Sequence, residues 1–290
     1  TMFDLARFNH GDYAAAAEPE ALARTLSRVL YPDDTTYQGK ELRLKQEYFL
    51  TAAALHDIIR RHLAGGFTIE ELPDHVAIQM NDTHPAIAGP ELLRILVDLH
   101  GLEFDAAMEI VVQCLGYTNH TLLPEALERW ASYLMVSVLP RHMQLIEAID
   151  AWHLRKNPGR PHYVGIVKHH EVRMGELAFI CAHKVNGVSA LHSDLVKKNL
   201  FPELDKLHPG RIMNVTNGIT PRRWLRMANP RLSKLITGAI GEGWEADLDR
   251  LRGLEPLAED AGFRADFAAA KRANKEALAH WIAQSQGIQI

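Results

Sequence analysis

The sequence has few cysteines, few aromatic residues and no excess of positive charge, and each shortage argues against a class of protein. Two of its 290 residues are cysteine, too few for the disulfide framework of a small secreted domain. Aromatic residues make up 7%, which argues against a binding module built on an exposed stacking platform. The 32 Lys and Arg residues are outnumbered by 36 Asp and Glu residues, so no global positive field attracts a nucleic acid.

Long apolar runs are also missing. No stretch approaches the ~18 consecutive apolar residues of a membrane-spanning helix, and no secretory signal is visible. We therefore expect no membrane contact and a cytoplasmic location. Cys114 and Cys181 lie among apolar neighbours, which predicts two buried thiols in a reducing compartment. Because the chain opens on Thr1 and stops just after a helical pattern, we expect a piece of a longer protein.

Apolar residues make up 47% of the sequence, and their spacing predicts helices that alternate with short strands. The predicted helices lie near 14–31, over 40–63, 90–99 and 105–114, from 124 with a split at Pro140 to 154, over 188–195, and from 221 onward. The predicted strands cover 75–80, 116–120, 177–182 and 212–215. This alternation predicts an α/β fold with a mainly parallel sheet flanked by helices.

Three polar segments follow predicted strands or strand ends. They are Asn81–Pro85, Tyr117–Thr121 and Thr216–Trp224. Ligands of open α/β sheets bind at the carboxyl ends of the strands, so these segments are expected on one rim of the sheet. Uncharged donors and acceptors with one or two carboxylates suit a polyhydroxylated ligand, because such groups are costly to bury without partners.

These segments and several others closely resemble the glycogen and α-glucan phosphorylase family, in its bacterial type. The matching segments, in family order, include 30–34, 39–46, 81–85, 124–130, 139–142, 185–188 and 217–224. The resemblance implies part of a two-lobed GT-B glycosyltransferase fold. Residues 1–220 are then the second half of the N-terminal lobe, with a tower-like helix near 14–31 and a gate loop at 32–38. Residues 221–290 are the helical start of the C-terminal lobe.

The resemblance also implies roles for individual residues. His120 and Asn217 match catalytic residues that contact the reacting sugar, although a core histidine and an Asn-Gly turn are the plain alternatives. Four further residues are expected to line the substrate pocket: Asp82, His84, Thr121 and Glu128. The plain alternative for the 81–85 segment is a helix entry with Asp or Thr as N-cap.

A gate loop and a cofactor contact follow from the same resemblance. Asp33, Asp34, Thr35 and Thr36 match a mobile loop in front of the catalytic site; the alternative is a solvated turn. Animal enzymes carry an Asn and an aromatic residue in this loop, so inhibition by an aromatic plug is in doubt here. Trp224 matches a residue beside pyridoxal phosphate, while Arg222 and Arg223 are expected to be a surface basic pair. His142 and Gln144 match a glycogen-storage surface of some members, with exposed helix residues as the alternative.

The family phosphorolyses terminal α-1,4-linked glucose from a glucan such as glycogen or maltodextrin, giving α-glucose 1-phosphate. The resemblance therefore implies glucan and phosphate as partners, pyridoxal phosphate in the full-length parent, and a homodimer. No Lys here matches the family's Schiff-base position, so the cofactor and the activity are expected to be absent from this piece alone. No metal site is expected. The alternatives are a non-catalytic glucan-binding module and a nucleotide-sugar transferase of the same fold plan.

Overall fold

A computed structural model describes residues 3–123 and 127–289. The helices are α1 (Leu5–Asn9), α2 (Tyr13–Thr25), α3 (Tyr37–Ala64), α4 (Leu72–His75), α5 (Ala88–Arg94), α6 (Phe104–Cys114), α7 (Ser132–Val138), α8 (Pro140–Lys156), α9 (Met174–Cys181), α10 (Ala190–Leu195), α11 (Pro202–Leu207), α12 (Pro230–Ile240) and α13 (Ala261–Gln286). The strands are β1 (Ile78–Asn81), β2 (Leu115–Thr118), β3 (Arg129–Ala131), β4 (Val167–Lys168), β5 (Glu171–Arg173), β6 (Lys184–Gly187) and β7 (Ile212–Asn214). Wider π-helical turns cover Ile95–Leu99, Val196–Leu200 and Arg222–Met227, and a 3-10 helix covers Leu248–Leu257.

The main sheet is parallel throughout, in the order β1-β2-β6-β7. Its register places Asn81 beside Thr118, and Thr118 beside Asn186. Helices α6 and α9 pack against β2, and their buried apolar side chains form the core with α5. The predicted α/β fold with a mainly parallel sheet is confirmed, and the carboxyl ends of β1 and β2 do meet at one edge.

The long helix α3 forms a wall beside this sheet. The side chain of Thr36 caps its start by accepting a hydrogen bond from the Gly39 N–H, as expected of a helix N-cap. Leu44, Leu55 and Ile59 recur on its buried side, and that side packs against α5 and α7. On its other side, Lys40 and Arg43 share a cavity with Asp82, the residue that follows β1.

Two predicted elements differ from the structure. The predicted strand at 177–182 is helix α9, because a run that is buried on every side shows neither the helical nor the strand period. The polar strand β6, which follows it, was not predicted. The predicted helix from 124 to 138 begins only at Ser132, because residues 129–131 form β3 and pair with β5. Residues 124–126 of that prediction lie outside the described residues.

The predicted tower-like helix and gate loop have different bounds in the structure. Helix α2 ends at Thr25 rather than near residue 31, and turns follow it. Helix α3 begins at Tyr37, so the last two residues of the predicted loop 32–38 are helical. The loop before α3 therefore ends at Thr36.

The chain divides into two compact units, Thr1–Thr216 and Asn217–Ile290. In the second unit, α12 packs against α13, the π-helical turn at Arg222–Met227 and the 3-10 helix. Trp244 is buried there, and its Nε1 donates to the Thr237 hydroxyl over 3.0 Å. The division falls four residues before the predicted boundary at 220, and the assignment of the units to two lobes stays a prediction.

Both cysteines are free thiols in the core, as predicted. Burial raises the pKa of Cys114 and of Cys181 to about 12, so neither is a reactive thiolate near neutral pH. Over the described residues, no helix combines the length and the apolar character that crossing a bilayer requires.

A pair of histidines, the buried His153 and the half-buried His208, lies next to the loop at 157–161. Arg160 of that loop is buried, and its Nη1 donates to Asp150 over 2.7 Å and to Nδ1 of His153 over 3.0 Å. Since Nδ1 accepts, the proton of the neutral His153 ring lies on Nε2. That nitrogen is 2.8 Å from Nε2 of His208 and donates to it.

We predict that this pair destabilises the fold in acid. Burial, then the charge of a protonated His208 and of Arg160, lowers the pKa of His153 to about 3. Burial and Arg211 lower that of His208 to about 4. In the unfolded chain both rings titrate near ~6.5, so the unfolded state binds more protons below that pH. The stabilising effect of the neutral pair is complete above pH ~6.5 and is lost as the pH falls through about 4 and 3.

Urea unfolding between pH ~7 and ~4 measures this loss. His153→Gln keeps an acceptor for Arg160 and a donor for His208 but cannot titrate, so its stability should fall less steeply with acid. His100→Gln, at an exposed position, is the control and should follow the unsubstituted chain. Equal slopes for His153→Gln and the unsubstituted chain would contradict the account.

Candidate functional site

A cavity of about 660 Å³ lies where β1 and β2 end. Its lining residues are Asp34, Lys40, Arg43, Asp82, His84, Thr121, Leu127, Glu128, Arg129 and Trp130. All four residues predicted to line a substrate pocket are in this set, and so is one residue of the predicted gate loop. The structure therefore brings together residues that are up to 96 positions apart in the chain.

The turn after β1 places Asp82 at the cavity. Its N–H donates to the Thr118 carbonyl over 2.9 Å, which extends the β1–β2 ladder by one residue. Asp82 then adopts a left-handed conformation, with φ of 69°, and its carboxylate accepts from the Thr83 N–H over 2.7 Å. Asp residues tolerate this backbone better than most. Because α5 begins only at Ala88 and has no side-chain cap, the alternative of a helix N-cap at Asp82 or Thr83 is wrong.

His120 follows β2 at the same edge. Its imidazole is exposed, and Nε2 is hydrogen-bonded to the side-chain oxygen of Asn81. The alternative of a buried core histidine is therefore wrong. His120 does not line the cavity itself, but the next residue, Thr121, does. The preceding residue, Asn119, is buried, and its N–H donates to the Asn186 carbonyl over 2.9 Å.

His192 supports this turn from α10 and was missed in the sequence. Its Nδ1 accepts from the Val188 N–H over 3.1 Å. Burial lowers the pKa of His192, and the charge of a protonated His120 acts in the same direction. The ring thus lies near His120 and is bonded to the start of α10.

Arg43 is one of three basic residues in the cavity wall, with Lys40 and Arg129, and no sequence pattern singles it out. Its Nη1 lies 2.6 Å from the carboxylate of Asp34, and its Nη2 lies 2.6 Å from that of Glu128. The other oxygen of Glu128 accepts from the Thr83 hydroxyl over 3.3 Å. One guanidinium thus joins α3, the loop before it and the segment that leads into β3. The fork of Arg suits such a role because it presents several fixed donors.

The predicted gate residues form an ordered turn against α3. Asp33 accepts from the Thr35 N–H over 3.0 Å, and this hydrogen bond lowers the pKa of the Asp33 carboxyl. Thr36 caps α3, and Asp34 is held by Arg43. Asp33, Thr35 and Thr36 are exposed, as a solvated turn would be, but Asp34 belongs to the cavity wall. Whether this turn moves stays a prediction.

The predicted residues of the second unit are both exposed. Asn217 is its first residue and lies in a loop. Trp224 is 64% exposed in the π-helical turn. Arg222 Nη1 donates to the Glu245 carbonyl over 2.8 Å, so this arginine is engaged by the unit's own backbone. The catalytic role of Asn217 and the cofactor contact of Trp224 stay predictions.

His142 is not available to a glucan, nor is it an exposed helix residue. It is 4% exposed, and its Nε2 lies 2.6 Å from the buried carboxylate of Glu91. Arg94 binds the same carboxylate through two hydrogen bonds of 2.8 and 2.9 Å. Both expectations for His142 are therefore wrong: a buried carboxylate needs partners, and His142 is one of them.

The family model described as "Carbohydrate phosphorylase" matches residues 1–290. The chain belongs to the carbohydrate phosphorylase family. It is 46% identical to the glycogen phosphorylase of Synechocystis sp. over 97% of this chain and 34% of that protein. It is 44% identical to the Haemophilus influenzae glycogen phosphorylase (100% of this chain, 36% of that protein) and to the muscle form of Oryctolagus cuniculus (99% and 36%).

This phosphorylase chain spans about a third of the length of the curated relatives it matches. Its identity to the animal muscle form equals its identity to the Haemophilus protein, so overall identity does not separate a bacterial type from an animal type. The match covers both compact units, since it extends from the first residue to the last.

We predict that Gly39 is required for the turn that holds Asp34. A Cβ atom at Gly39 would lie 1.7 Å from the carbonyl oxygen of Asp33, so Gly39→Ala must displace the turn. Overpacking of this kind costs about 1–3 kcal/mol of stability. Hydrogen exchange of the backbone amides at 33–36 should accelerate markedly.

The matched control is Gly238→Ala, also a glycine within a helix, where nothing lies within 4 Å of the added Cβ. That substitution should be neutral or stabilise by up to ~1 kcal/mol. If Gly39→Ala behaves like Gly238→Ala in both measurements, the packing described for the turn is wrong.

Proposed function

We propose that this chain is part of an α-glucan phosphorylase and that its cavity forms one wall of the glucose site. The full-length protein then cleaves a terminal α-1,4-linked glucose with inorganic phosphate and releases α-glucose 1-phosphate. Membership of the carbohydrate phosphorylase family supports this proposal. The observation that carries it is the convergence of Asp82, His84, Thr121 and Glu128 on one cavity at the sheet edge.

The chemistry of the cavity suits a sugar. Hydroxyl groups need both donors and acceptors at fixed positions, and the wall offers carboxylate, hydroxyl and imidazole groups. A cleavage at the anomeric carbon develops positive charge there. Carbonyl dipoles and carboxylates near that position, with His120 at the adjoining turn, stabilise such charge without acting as nucleophiles.

The larger architecture is also a proposal. The two units are assigned to the N-terminal and C-terminal lobes of a GT-B fold. The parallel sheet with flanking helices in the first unit supports this assignment. We further propose a cytoplasmic homodimer, in which the α1–α2 region pairs two subunits. The exposed apolar side chains of Phe8, Tyr13 and Leu22 support that role.

We propose that the full-length protein uses pyridoxal phosphate, which would supply acid–base chemistry to the substrate phosphate when bound. The exposed indole of Trp224 fits a packing contact with the cofactor, and we assign it that role. No lysine of this chain is assigned to a Schiff base. The residues described here would therefore orient sugar and one side of the cofactor, but would not supply the groups that bind phosphate.

We predict that His120→Ala in the full-length phosphorylase lowers kcat/KM for phosphorolysis by about 10²-fold or more, the scale typical of a lost transition-state contact. Release of glucose 1-phosphate from maltodextrin gives the rate. His100→Ala removes an exposed imidazole away from the site and should stay within about twofold. Unchanged activity of His120→Ala would exclude the proposed contact.

A second prediction concerns the isolated 290-residue chain. Incubated with glycogen, phosphate and pyridoxal phosphate, it should release no glucose 1-phosphate above a blank. Release above the blank would refute the proposal that this chain lacks groups that the reaction requires. If the chain instead binds maltooligosaccharide without turnover, and His120→Ala abolishes that binding, the alternative of a glucan-binding module gains support.

A further inference from the structure

Glu47 carries a buried carboxyl group, and in the described part of the chain only one of its two oxygens has a hydrogen-bond donor. It lies on α3, one turn after Arg43, and its side chain is 8% exposed. One of its oxygens lies 3.4 Å from Nε of Arg43, while no donor of the described residues reaches Oε2. A buried carboxylate oxygen without a donor is costly, so the state of this group needs an explanation.

The charges around it do not balance if every carboxyl group is ionised. The guanidinium of Arg43 already binds Asp34 and Glu128 at 2.6 Å each. The imidazole of His84 is farther away, with Nε2 3.9 Å from Glu128. Lys40 and Arg129 also line the cavity, but among the described residues neither forms an ion pair with Glu47 or Glu128, and Arg129 lies 3.7 Å from Glu171 instead. Three carboxylates around one guanidinium would leave excess negative charge, and the side chains of Glu47 and Glu128 are both largely shielded from water. Such an arrangement favours protonation of one group.

Glu47 and Glu128 contact the same guanidinium: Nε of Arg43 lies 3.4 Å from Glu47 Oε1, and its Nη2 lies 2.6 Å from Glu128 Oε1. Because Nε and Nη2 belong to one planar group, the two carboxyl groups are brought close together. Burial raises the pKa of Glu47 well above its usual range, the negative charge of Glu128 raises it further, and a hydrogen bond to Glu128 acts in the same direction; Arg43 opposes them. A hydrogen bond between two carboxyl groups requires a proton on one of them.

We propose that Glu47 and Glu128 share one proton, and that Glu47 is a neutral positioning residue for the Glu128 carboxylate. The Glu47 O–H then donates to Glu128, while Arg43 and Thr83 donate to the same carboxylate. Each side of Glu128 is thus fixed at the cavity wall. The shared proton does not depend on what the cavity binds; the relevance of Glu128 to a sugar rests on the proposed function.

Infrared spectroscopy of the 290-residue chain tests the proton directly. At about pH 7 the carbonyl stretch of a protonated carboxylic acid should be present, and the difference between the unsubstituted chain and Glu47→Gln should contain that band. Glu176 is another buried carboxyl group whose pKa burial raises, so Glu176→Gln identifies its separate contribution. Glu41→Gln, on the same helix where Glu41 pairs with Lys45, should change no such band.

The absence of any protonated carboxyl band in the unsubstituted chain would overturn the proposal, whatever the variants do. So would a band that Glu176→Gln removes completely, or one that Glu47→Gln leaves unchanged. These outcomes leave the proposed function untouched, because they do not involve a sugar. Conversely, a substitution elsewhere that abolishes phosphorylase activity should leave the infrared band of the protonated carboxyl group unchanged.

The positioning role has a second test in conservative replacement. Glu47→Gln keeps a donor for Glu128 and should melt within about 1 °C of the unsubstituted chain at about pH 7. Glu47→Met has a similar length but donates nothing, so it should lower the melting temperature by several degrees, about the scale of one lost buried hydrogen bond. Equal losses in both variants would show that the donor is irrelevant and would overturn the role.

Discussion

The cavity depends on one guanidinium shared among carboxyl groups. Arg43 binds Asp34 and Glu128, which belong to segments 94 residues apart, at 2.6 Å each. The contact with Glu128 is not a surface ion pair of the kind that contributes little, because Arg43 is 19% exposed and Glu128 is 9% exposed. Asp34 is 45% exposed, so its contact is more strongly screened by water. Removing Arg43 would leave Glu128 buried and uncompensated. The loop before α3 and the segment leading into β3 are thus both tied to α3 through one guanidinium.

The parallel sheet explains why polar groups gather at this place. Strands of one direction end at the same edge, and the chain must turn away there before it enters a helix. Asp82 and His120 both lie in such turns, after β1 and β2. Backbone hydrogen bonds to the Thr118 and Asn186 carbonyls hold the two turns. Helices α6 and α9 pack against β2. The packed sheet and helices therefore position turn residues that are themselves partly exposed.

Sequence patterns predicted the polar residues at the sheet edge, but not the charged residues that hold them in place. Polar residues directly after apolar strands indicated where Asp82 and His84 would lie, and the family resemblance extended the set to Thr121 and Glu128. Arg43 and Glu47 gave no such signal, because a charged pair four residues apart on a helix reads as an ordinary solvated face. Only the fold brings Glu128 to that face. The sequence of helix α9 predicts a strand, because a fully buried run lacks the period of either element.

A double-mutant cycle on Arg43 and Glu128 tests the central claim most directly. The free energy of unfolding is measured by urea titration for Arg43→Gln, Glu128→Gln, the double variant and the unsubstituted chain. The account predicts a coupling energy of about 1–3 kcal/mol, since the pair is in contact and largely buried. A coupling energy near zero would contradict it, because the two groups would then contribute independently and the cavity wall would depend on something else.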